Sequence, residues 1–223
     1  MSIPVNIDFV SDIACPWCAV GLRALEEAMQ RVGSELQVEL HFQPFELNPQ
    51  MPPEGQDAIE HLTGKYRISA AQAAQSAETM RVRGAELGFT FDMDKRRRVY
   101  NTFDSHRLLH WAGEQGEAPQ KRLKHSLLRA YFTDGRDVSD RDTLVSVVEE
   151  AGLDGVRARR ILESDELVEA VRRQERFYVE QGITAVPSVI FNNRHLIQGG
   201  QPIETFEAML RKLAKLPGKA AAA

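Results

Sequence analysis

The sequence predicts a mixed α/β fold in which a large helical block interrupts a small sheet domain. At the N-terminus, alternating and then periodic apolar residues indicate a strand, a helix and a second strand. At the C-terminus, similar signals indicate two strands and a helix. Between them, from about residue 57 to about residue 181, strand signals disappear and helical patterns follow one another.

The N-terminal unit is predicted to be strand, helix, strand. Residues 3–9 alternate between apolar residues and shorter or polar ones, which is typical of a strand. Pro16 suits the first turn of a helix, where its missing N–H is no loss. Apolar residues then recur at spacings of three and four until Gly33, which ends the helix. Residues 36–42 alternate again, so we expect a βαβ unit with a right-handed crossover.

Five helices are expected in the middle of the chain, with their ends set by glycine, proline and capping residues. They cover residues 69–87, 94–113, 119–132, 139–152 and 164–182. Ser139, with Asp142 three residues later, and Ser164 are the expected N-terminal caps of the last two helices.

Strand character returns at residues 188–191, and Asn192-Asn193 suits a tight turn because asparagine tolerates positive φ. Residues 195–197 are the expected partner strand, and Pro202 opens a last helix. The two outer segments, residues 1–56 and 182–223, are therefore predicted to form one discontinuous thioredoxin-like domain. An all-helical domain, residues 57–181, is inserted into it.

The composition is that of an ordinary globular protein, with 43% hydrophobic and 27% charged residues. The net charge of -4 argues against nonspecific binding to nucleic acid or to anionic membranes. The N-terminus has no basic segment followed by a long apolar core, so we expect no secretory signal and a cytoplasmic location. That compartment is reducing, which disfavours a structural disulfide. The oligomeric state is left open.

The only two cysteines stand in Cys15-Pro16-Trp17-Cys18. A thiolate is the nucleophile in disulfide exchange, and the first turn of a helix stabilises negative charge. Cys15 lies at that turn and is the expected attacking thiolate, whereas Cys18 lies further in and is the expected resolving thiol. The predicted reaction passes through a mixed disulfide between Cys15 and a substrate sulfur. Pro16 and Trp17 shape the loop, with Trp17 acting either as a platform beside the thiol or as a packing anchor.

The stretch Ala185-Val186-Pro187-Ser188 is the second candidate element. A proline just before a strand is unusual in a sheet, because it cannot donate a ladder hydrogen bond. A cis Val186–Pro187 bond would let the Val186 backbone meet an extended substrate beside the thiols. An ordinary trans proline is the alternative, but a CxxC after the first strand and a proline before the third favour the cis form.

In combination, four stretches resemble the DsbA family of thiol-disulfide oxidoreductases, and most closely its FrnE-like branch. They are DIACPWC at 12–18, PFELNP at 44–49, NTFDSHRL at 101–108 and AVP at 185–187. The resemblance spans nearly the whole chain and implies a thioredoxin fold with a helical insert, a redox-active Cys15–Cys18 pair and a cis Pro187. CPWC replaces the CPHC that is usual in periplasmic members, whose histidine helps to stabilise the thiolate. A moderate reduction potential, or activity as an isomerase or a reductase, is therefore as compatible with the sequence as activity as a strong oxidant.

Two further residues are candidates for the cleft that the resemblance implies. His106 is a candidate for positioning substrate or moving a proton, although a histidine bonded within the helix packing is the preferred interpretation. Phe45 either lines the cleft or belongs to the core. Metal binding is disfavoured, because structural zinc needs four ligands and the chain has no second CxxC and no histidine pair with ligand spacing. A dimer that shares two cysteine pairs is left open.

The expected partners are thiol or disulfide substrates, either proteins or small molecules, with no cofactor beyond the Cys15–Cys18 disulfide itself. Kappa-class glutathione transferases and 2-hydroxychromene-2-carboxylate isomerases, which resemble this architecture, are the alternative. They typically carry serine where Cys15 stands and use bound glutathione, so two cysteines favour redox exchange. Glutathione near Val186, as a substrate, stays open. The non-enzymatic alternative is a chaperone or peptide-binding module that retains the cleft.

Overall fold

The computed structural model describes residues 3–215 and has a mixed α/β architecture with a helical insertion, as the sequence predicts. Its strands are β1 (Ile3–Ser11), β2 (Leu36–Pro44), β3 (Gln56–Asp57), β4 (Arg98–Val99), β5 (Ser188–Phe191) and β6 (His195–Gln198). Its helices are α1 (Pro16–Val32), α2 (Ala58–Tyr66), α3 (Ala70–Glu86), α4 (Phe103–Glu114), α5 (Glu117–Phe132), α6 (Arg141–Glu150), α7 (Gly155–Leu162), α8 (Val168–Glu180) and α9 (Ile203–Ala214). None of these helices is both long enough and apolar enough to cross a bilayer.

The main sheet has the strand order β2-β1-β5-β6. β1 pairs in parallel with β2, and α1 makes the crossover between them, whereas β5 and β6 run antiparallel to their neighbours. Asn192 and Asn193 form the turn between β5 and β6 with φ values of 52° and 54°, the left-handed conformation that asparagine tolerates. β1 is thus central, and the chain leaves its C-terminal end directly into α1.

The insertion differs from the predicted all-helical block around residues 94–102. α4 begins at Phe103 and not near Asp94, because Arg98–Val99 forms β4 and pairs antiparallel with β3. The Val99 side chain is buried there, and the Arg98 guanidinium donates to the backbone carbonyls of Glu54 and Gly55. These tertiary contacts outweigh the helical periodicity of the local sequence.

The number of helices and two of the predicted caps also differ. α2 and α7 are helices that the sequence analysis does not predict, so the insertion has seven described helices, α2 to α8, in place of five. Asp140, and not Ser139, caps α6, because its carboxylate accepts from the Thr143 N–H at 2.7 Å. Ser164 is not the cap of α8, which begins at Val168; its hydroxyl donates back to a carbonyl of α7 at 2.8 Å.

One hydrophobic core serves both the sheet and the insertion. The buried apolar residues of α1 and α9, and those of β1 other than Val10, belong to the same cluster as those of α4, α5 and α6. Residues on both sides of the predicted boundaries, at 57 and 181, therefore contribute to the same hydrophobic core. The outermost ends of the predicted thioredoxin-like domain, residues 1–2 and 216–223, lie outside the described residues.

A single glutamine joins the insertion to the edge of the sheet. The Gln120 side chain is buried on α5, where its Oε1 accepts from the Phe42 N–H at 3.0 Å and its Nε2 donates to the Phe42 carbonyl at 3.1 Å. The amide thus replaces a neighbouring strand at this point of β2. Gly113 leaves room for it, because a Cβ there would lie 2.7 Å from Gln120 Nε2.

Gln120→Ala should lower the free energy of unfolding by about 2–4 kcal/mol, because it leaves both buried backbone groups of Phe42 without a partner. Urea unfolding monitored by circular dichroism measures this change. The matched control is Gln115→Ala, which removes an exposed glutamine and should change stability by less than about 0.5 kcal/mol. Equal stability of the two variants would show that water hydrogen-bonds the Phe42 N–H and carbonyl as well as Gln120 does.

Candidate active site

The cysteine pair lies where β1 turns into α1. Cys15 is the N-cap of α1 in an extended conformation, and Pro16 occupies the first turn. The Cys15 N–H donates to the Asp12 carbonyl at 3.3 Å, and the Cys18 N–H donates to the Cys15 carbonyl at 3.1 Å. Cys15 therefore stands at the positive end of a 17-residue helix, where a thiolate is stabilised.

The two thiols are free and have different surroundings. Cys15 is 4% exposed, whereas Cys18 is fully buried. Burial, together with the hydrogen bond and charge of Cys15, raises the pKa of the Cys18 thiol well above its ordinary value, against a lowering by Lys124. Cys18 is thus held as a protonated thiol behind Cys15. Within residues 3–215, no group of three or more His, Cys, Asp or Glu side chains is arranged to hold a metal ion.

The segment before β5 brings its backbone to the cysteine pair, 171 residues along the chain. The Cys15 thiol donates to the Val186 carbonyl with the sulfur 3.6 Å from the oxygen. The Val186–Pro187 peptide bond is cis. Pro187 packs against α1 at Gly21, where an added Cβ would lie 3.0 Å from the proline Cγ. The two candidate elements of the sequence therefore form one site.

Trp17 has one packed face and one open face. Its side chain is 36% exposed beside the thiol, and the Arg83 guanidinium lies 5.9 Å from a ring centroid. A Cβ on Gly200 would lie 2.8 Å from Trp17 Cε3, so only glycine allows this approach. Trp17 is therefore packed on one face, and its role as a platform beside the thiol stays a prediction. Pro16, beside it, is partly buried.

His106 lies behind the loop that carries the thiols, whereas Phe45 is partly exposed. Phe45 packs on a small cluster made by Val10, Tyr178 and Ile183, which Val186 also contacts. The His106 side chain is 2% exposed, and its Nε2 has no hydrogen-bond partner among the described residues. Phe45 supports the segment that presents the Val186 carbonyl, and His106 lies against the turn before Cys15.

Asp12, the first residue of the DIACPWC stretch, is a site residue for which no role was predicted from the sequence. Its buried carboxylate accepts from the Ala14 N–H at 3.0 Å and from the Leu47 N–H at 2.6 Å, and His106 Nε2 lies 3.6 Å away. Burial raises the pKa of Asp12, but His106 and the two N–H groups outweigh it and hold that pKa below its ordinary value. An ionised Asp12 therefore ties the cysteine turn to residues 44–49.

A second buried acidic group lies beside residues 44–49. Arg172 of α8 forms ion pairs with Glu46 and, at 2.9 Å, with Glu175, and its guanidinium lies 3.7 Å from the centroid of the Phe103 ring. Burial, and then the charge of Glu175, raises the pKa of Glu46; burial also raises the pKa of Glu175. This group anchors α8 to the loop that Asp12 holds on its other side.

The family model for the DSBA-like thioredoxin domain matches residues 6–211. The chain belongs to this family. At this coarse level it is one of the disulfide oxidoreductases and isomerases, whereas its place in the FrnE-like branch stays a prediction. YwbO of Bacillus subtilis, described as an uncharacterized protein, is 30% identical over 205 residues, which cover 91% of this chain and 94% of YwbO. The crystal structure of a probable DsbA oxidoreductase from Streptomyces coelicolor is 32% identical, with a TM-score of 0.89 over 98% of this chain and 94% of that one.

Two other solved structures share the fold of this DSBA-like chain. A 2-hydroxychromene-2-carboxylate isomerase aligns with a TM-score of 0.72 and 15% identity over 94% of this chain and 96% of that one. The cytosolic disulfide reductase DsbM from Pseudomonas aeruginosa, solved with GSH, aligns with a TM-score of 0.62 and 20% identity over 95% of this chain and 100% of that one. At these identities the likeness establishes the fold alone.

Asp12→Asn should lower the free energy of unfolding by about 3 kcal/mol at pH 7, because the amide replaces one of the two accepting oxygens by an NH2 group that faces a backbone N–H. The folded-state pKa of Asp12 lies below the unfolded value of about 3.9, so its contribution is complete above that value and is lost as pH falls further. The stability difference between wild type and variant should therefore be constant from pH 7 to 5 and shrink below pH 4.

Urea unfolding at each pH measures this difference, and Asp165→Asn, at an exposed position, is the matched control. A difference that keeps its pH 7 size down to pH 2 would mean that the Asp12 carboxylate is not ionised in the folded protein.

Proposed function

We propose that this DSBA-like protein is a thiol-disulfide oxidoreductase that exchanges disulfides at Cys15-Pro16-Trp17-Cys18 through a mixed disulfide. The observation that carries the proposal is the contact of the Cys15 thiol, at the start of α1, with the Val186 carbonyl. It puts a nucleophilic sulfur next to a backbone group on which an extended substrate can align. The buried Cys18 behind it supplies the second sulfur.

In the forward direction, the Cys15 thiolate attacks one sulfur of a substrate disulfide. A bond forms between Cys15 and that sulfur, and the other substrate sulfur leaves with the electron pair and takes up a proton. Cys18 then loses its proton and attacks Cys15, which forms the Cys15–Cys18 disulfide and releases the second substrate thiol. Two electrons have passed from the cysteine pair to the substrate. The same steps in reverse donate a disulfide.

The other site residues have supporting roles in this proposal. Pro16 starts the helix that stabilises the Cys15 thiolate, and the open face of Trp17 is a platform beside it. The backbone of Val186 and the cis Pro187 receive the substrate chain. Phe45 packs beside the Val186 segment, and His106 supports the turn before Cys15 from behind.

The proposed substrates are protein or small-molecule thiols and disulfides, and the proposed location is the cytoplasm. The redox-active disulfide is the only cofactor in this proposal. DsbM, which shares the fold, is described as cytosolic and was solved with GSH. Glutathione is therefore the first small thiol to test as a substrate.

Iodoacetamide at pH 7 should modify Cys15 of the native reduced protein and spare Cys18. Cys18 is fully buried, and its raised pKa keeps it a thiol, which alkylates slowly. Peptide mass spectrometry after brief labelling measures the ratio of the two modifications. In denaturant both cysteines should label alike, which serves as the control. Equal labelling in the native protein would contradict the assignment of Cys15 as the attacking thiol.

Serine variants of the two cysteines test the mechanism. Cys15→Ser should reduce insulin reduction in the presence of dithiothreitol to the uncatalysed background, because it removes the attacking sulfur. Cys18→Ser should still attack but stop as a mixed disulfide with one substrate molecule, which intact-protein mass spectrometry detects. Each substitution replaces one sulfur by one oxygen and should leave the fold intact. The control is a cooperative urea unfolding curve for each variant that matches the curve of wild type.

Insulin reduction by Cys15→Ser at the wild-type rate would refute the redox proposal. Wild-type activity confined to glutathione-dependent isomerisation of a 2-hydroxychromene-2-carboxylate would favour the alternative enzyme class. Suppression of aggregation by both wild type and Cys15→Ser, without any exchange, would favour a chaperone or peptide-binding module.

A further inference from the structure

The exposed ring of Trp17 lies close to a cation, Arg83 of α3. The Arg83 guanidinium carbon is 5.9 Å from the centroid of a Trp17 ring, and the Arg83 Nη2 donates to the Gly200 carbonyl at a long 3.5 Å. Gly200 lies between β6 and α9, and Arg83 is partly buried. The Arg83 side chain therefore reaches from α3 across the Trp17 indole to the loop before α9.

Arg83 has few partners for a partly buried arginine. Within residues 3–215, it forms no ion pair with a carboxylate, and its one hydrogen bond is the long one to the loop before α9. By contrast, Arg81 on the same helix donates to both carboxylate oxygens of Glu78, at 2.6 and 2.7 Å. Glu86, one turn beyond Arg83, lines a cavity with Arg23 instead. Since a guanidinium has five N–H donors, most of those on Arg83 have no protein acceptor.

The reacting thiol lies within a substrate's length of this arginine. Cys15 is the N-cap of α1 and Trp17 is the second residue of the helix, so their Cα atoms are about 5–6 Å apart. A group that is bonded to a sulfur at Cys15 and lies on the open face of Trp17 can consequently end at the Arg83 guanidinium. Apolar groups pack well on an indole, and a carboxylate pairs with a guanidinium through two parallel hydrogen bonds. Trp17 and Arg83 therefore match a group that has a carboxylate a few bonds from its sulfur.

A second cation for which the described residues offer no carboxylate lies beside the cysteine turn. Lys65 of α2 donates to the Leu47 carbonyl at 2.8 Å, and the Leu47 N–H donates to Asp12 of that turn. Lys65 also donates to Asn48 Oδ1 at 2.7 Å, so its ammonium is held in place. The Asp12 carboxylate itself is buried. Although the chain has a net charge of -4, the surface at this turn therefore attracts anions and repels cations.

We infer that Arg83 is a specificity-determining residue, which binds a carboxylate of the substrate while the Trp17 ring packs against the group between that carboxylate and the reacting sulfur. The preferred substrates are therefore thiols and disulfides that carry a carboxylate close to the sulfur, and cationic ones are disfavoured. This assignment rests on the proposed function and adds the charge of the substrate to it. The bonds that form and break at the sulfurs are those of the proposed exchange.

Three disulfides with the same spacer and different charge test this preference. They are 3,3′-dithiodipropionate, which is a dianion, bis(2-hydroxyethyl) disulfide, which is neutral, and cystamine, which is a dication. Each is mixed with the reduced protein at pH 7, and the loss of free thiols is followed by acid quenching, alkylation and intact-protein mass spectrometry. Division by the rate of the same disulfide with dithiothreitol removes differences in intrinsic reactivity.

After this correction, wild type should react about 10-fold faster with the dianion than with the dication, because the dianion gains a charge-assisted hydrogen bond to Arg83. Arg83→Gln should reduce the preference to less than about threefold, with the remainder coming from the other charges of the surface. Arg83→Lys should retain part of the preference, because an ammonium keeps the charge but not the planar pair of donors. Added sodium chloride should weaken the wild-type preference, since it screens a partly exposed ion pair.

The matched control is Arg81→Gln, which removes the same charge from the same helix at a position where the side chain is 57% exposed and paired with Glu78. It should keep the wild-type preference, so that a general effect of net charge is separated from contact with Arg83. If Arg83 served only to pack against Trp17, Arg83→Gln would change the rates of the three disulfides by the same factor. Urea unfolding of each variant verifies that it folds.

Carboxylates beside a sulfur occur both in small thiols and in proteins that have acidic residues next to cysteine. Disulfide-linked dimers of the capped tripeptides Asp-Cys-Asp and Lys-Cys-Lys therefore repeat the comparison. A preference that depends on Arg83 in the tripeptides alone would identify acidic protein segments as the substrates, whereas one in the small disulfides would identify small molecules.

Equal corrected rates for dianion and dication in wild type, in both series, would overturn the inference. An unchanged preference in Arg83→Gln would overturn it as well. Failure of wild type to react with any of these disulfides, the neutral one included, would instead refute the proposed function itself.

Discussion

The site depends on one buried carboxylate. Asp12 lies between β1 and α1, and its two oxygens accept from the turn that carries Cys15 and from the loop that follows β2. Without an acceptor there, the N–H groups of Ala14 and Leu47 would lose their protein partner, and the two segments would lose this polar link. Asp12 therefore fixes the position of the cysteine turn relative to the loop that contains Glu46. The Val186 carbonyl contacts the Cys15 thiol of that turn.

The insertion packs directly against the sheet and the turn that carries the cysteine pair. α5 supplies Gln120 to the edge of β2 and, one turn later, Lys124 to the space beneath β1. Both side chains are buried in the core that the sheet and the insertion share. A change in how α5 packs would consequently alter the sheet edge and the surroundings of Cys18 together.

Much of the framework could be predicted from the sequence, because local pattern determines it. Alternation and helical spacing locate β1, α1 and β2, and Asn192-Asn193 marks the hairpin turn. The errors come from contacts between distant residues: β4 exists because it pairs with β3, and α7 is too short to show a clear apolar period. No burial was predicted for Lys124, because a lysine ordinarily lies at the surface; its side chain is buried because α5 packs against the end of β1.

Trp17 also has an optical consequence. The chain has two tryptophans, and the other, Trp111, is buried in the core away from solvent. Trp17 lies two residues from Cys15, is partly open to water, and is held by the close approach of Gly200. If the proposed disulfide forms, the indole emission of Trp17 should change with it, while Trp111 contributes a steady background. Under the proposed function, the protein would therefore report its own redox state through Trp17, without an added label.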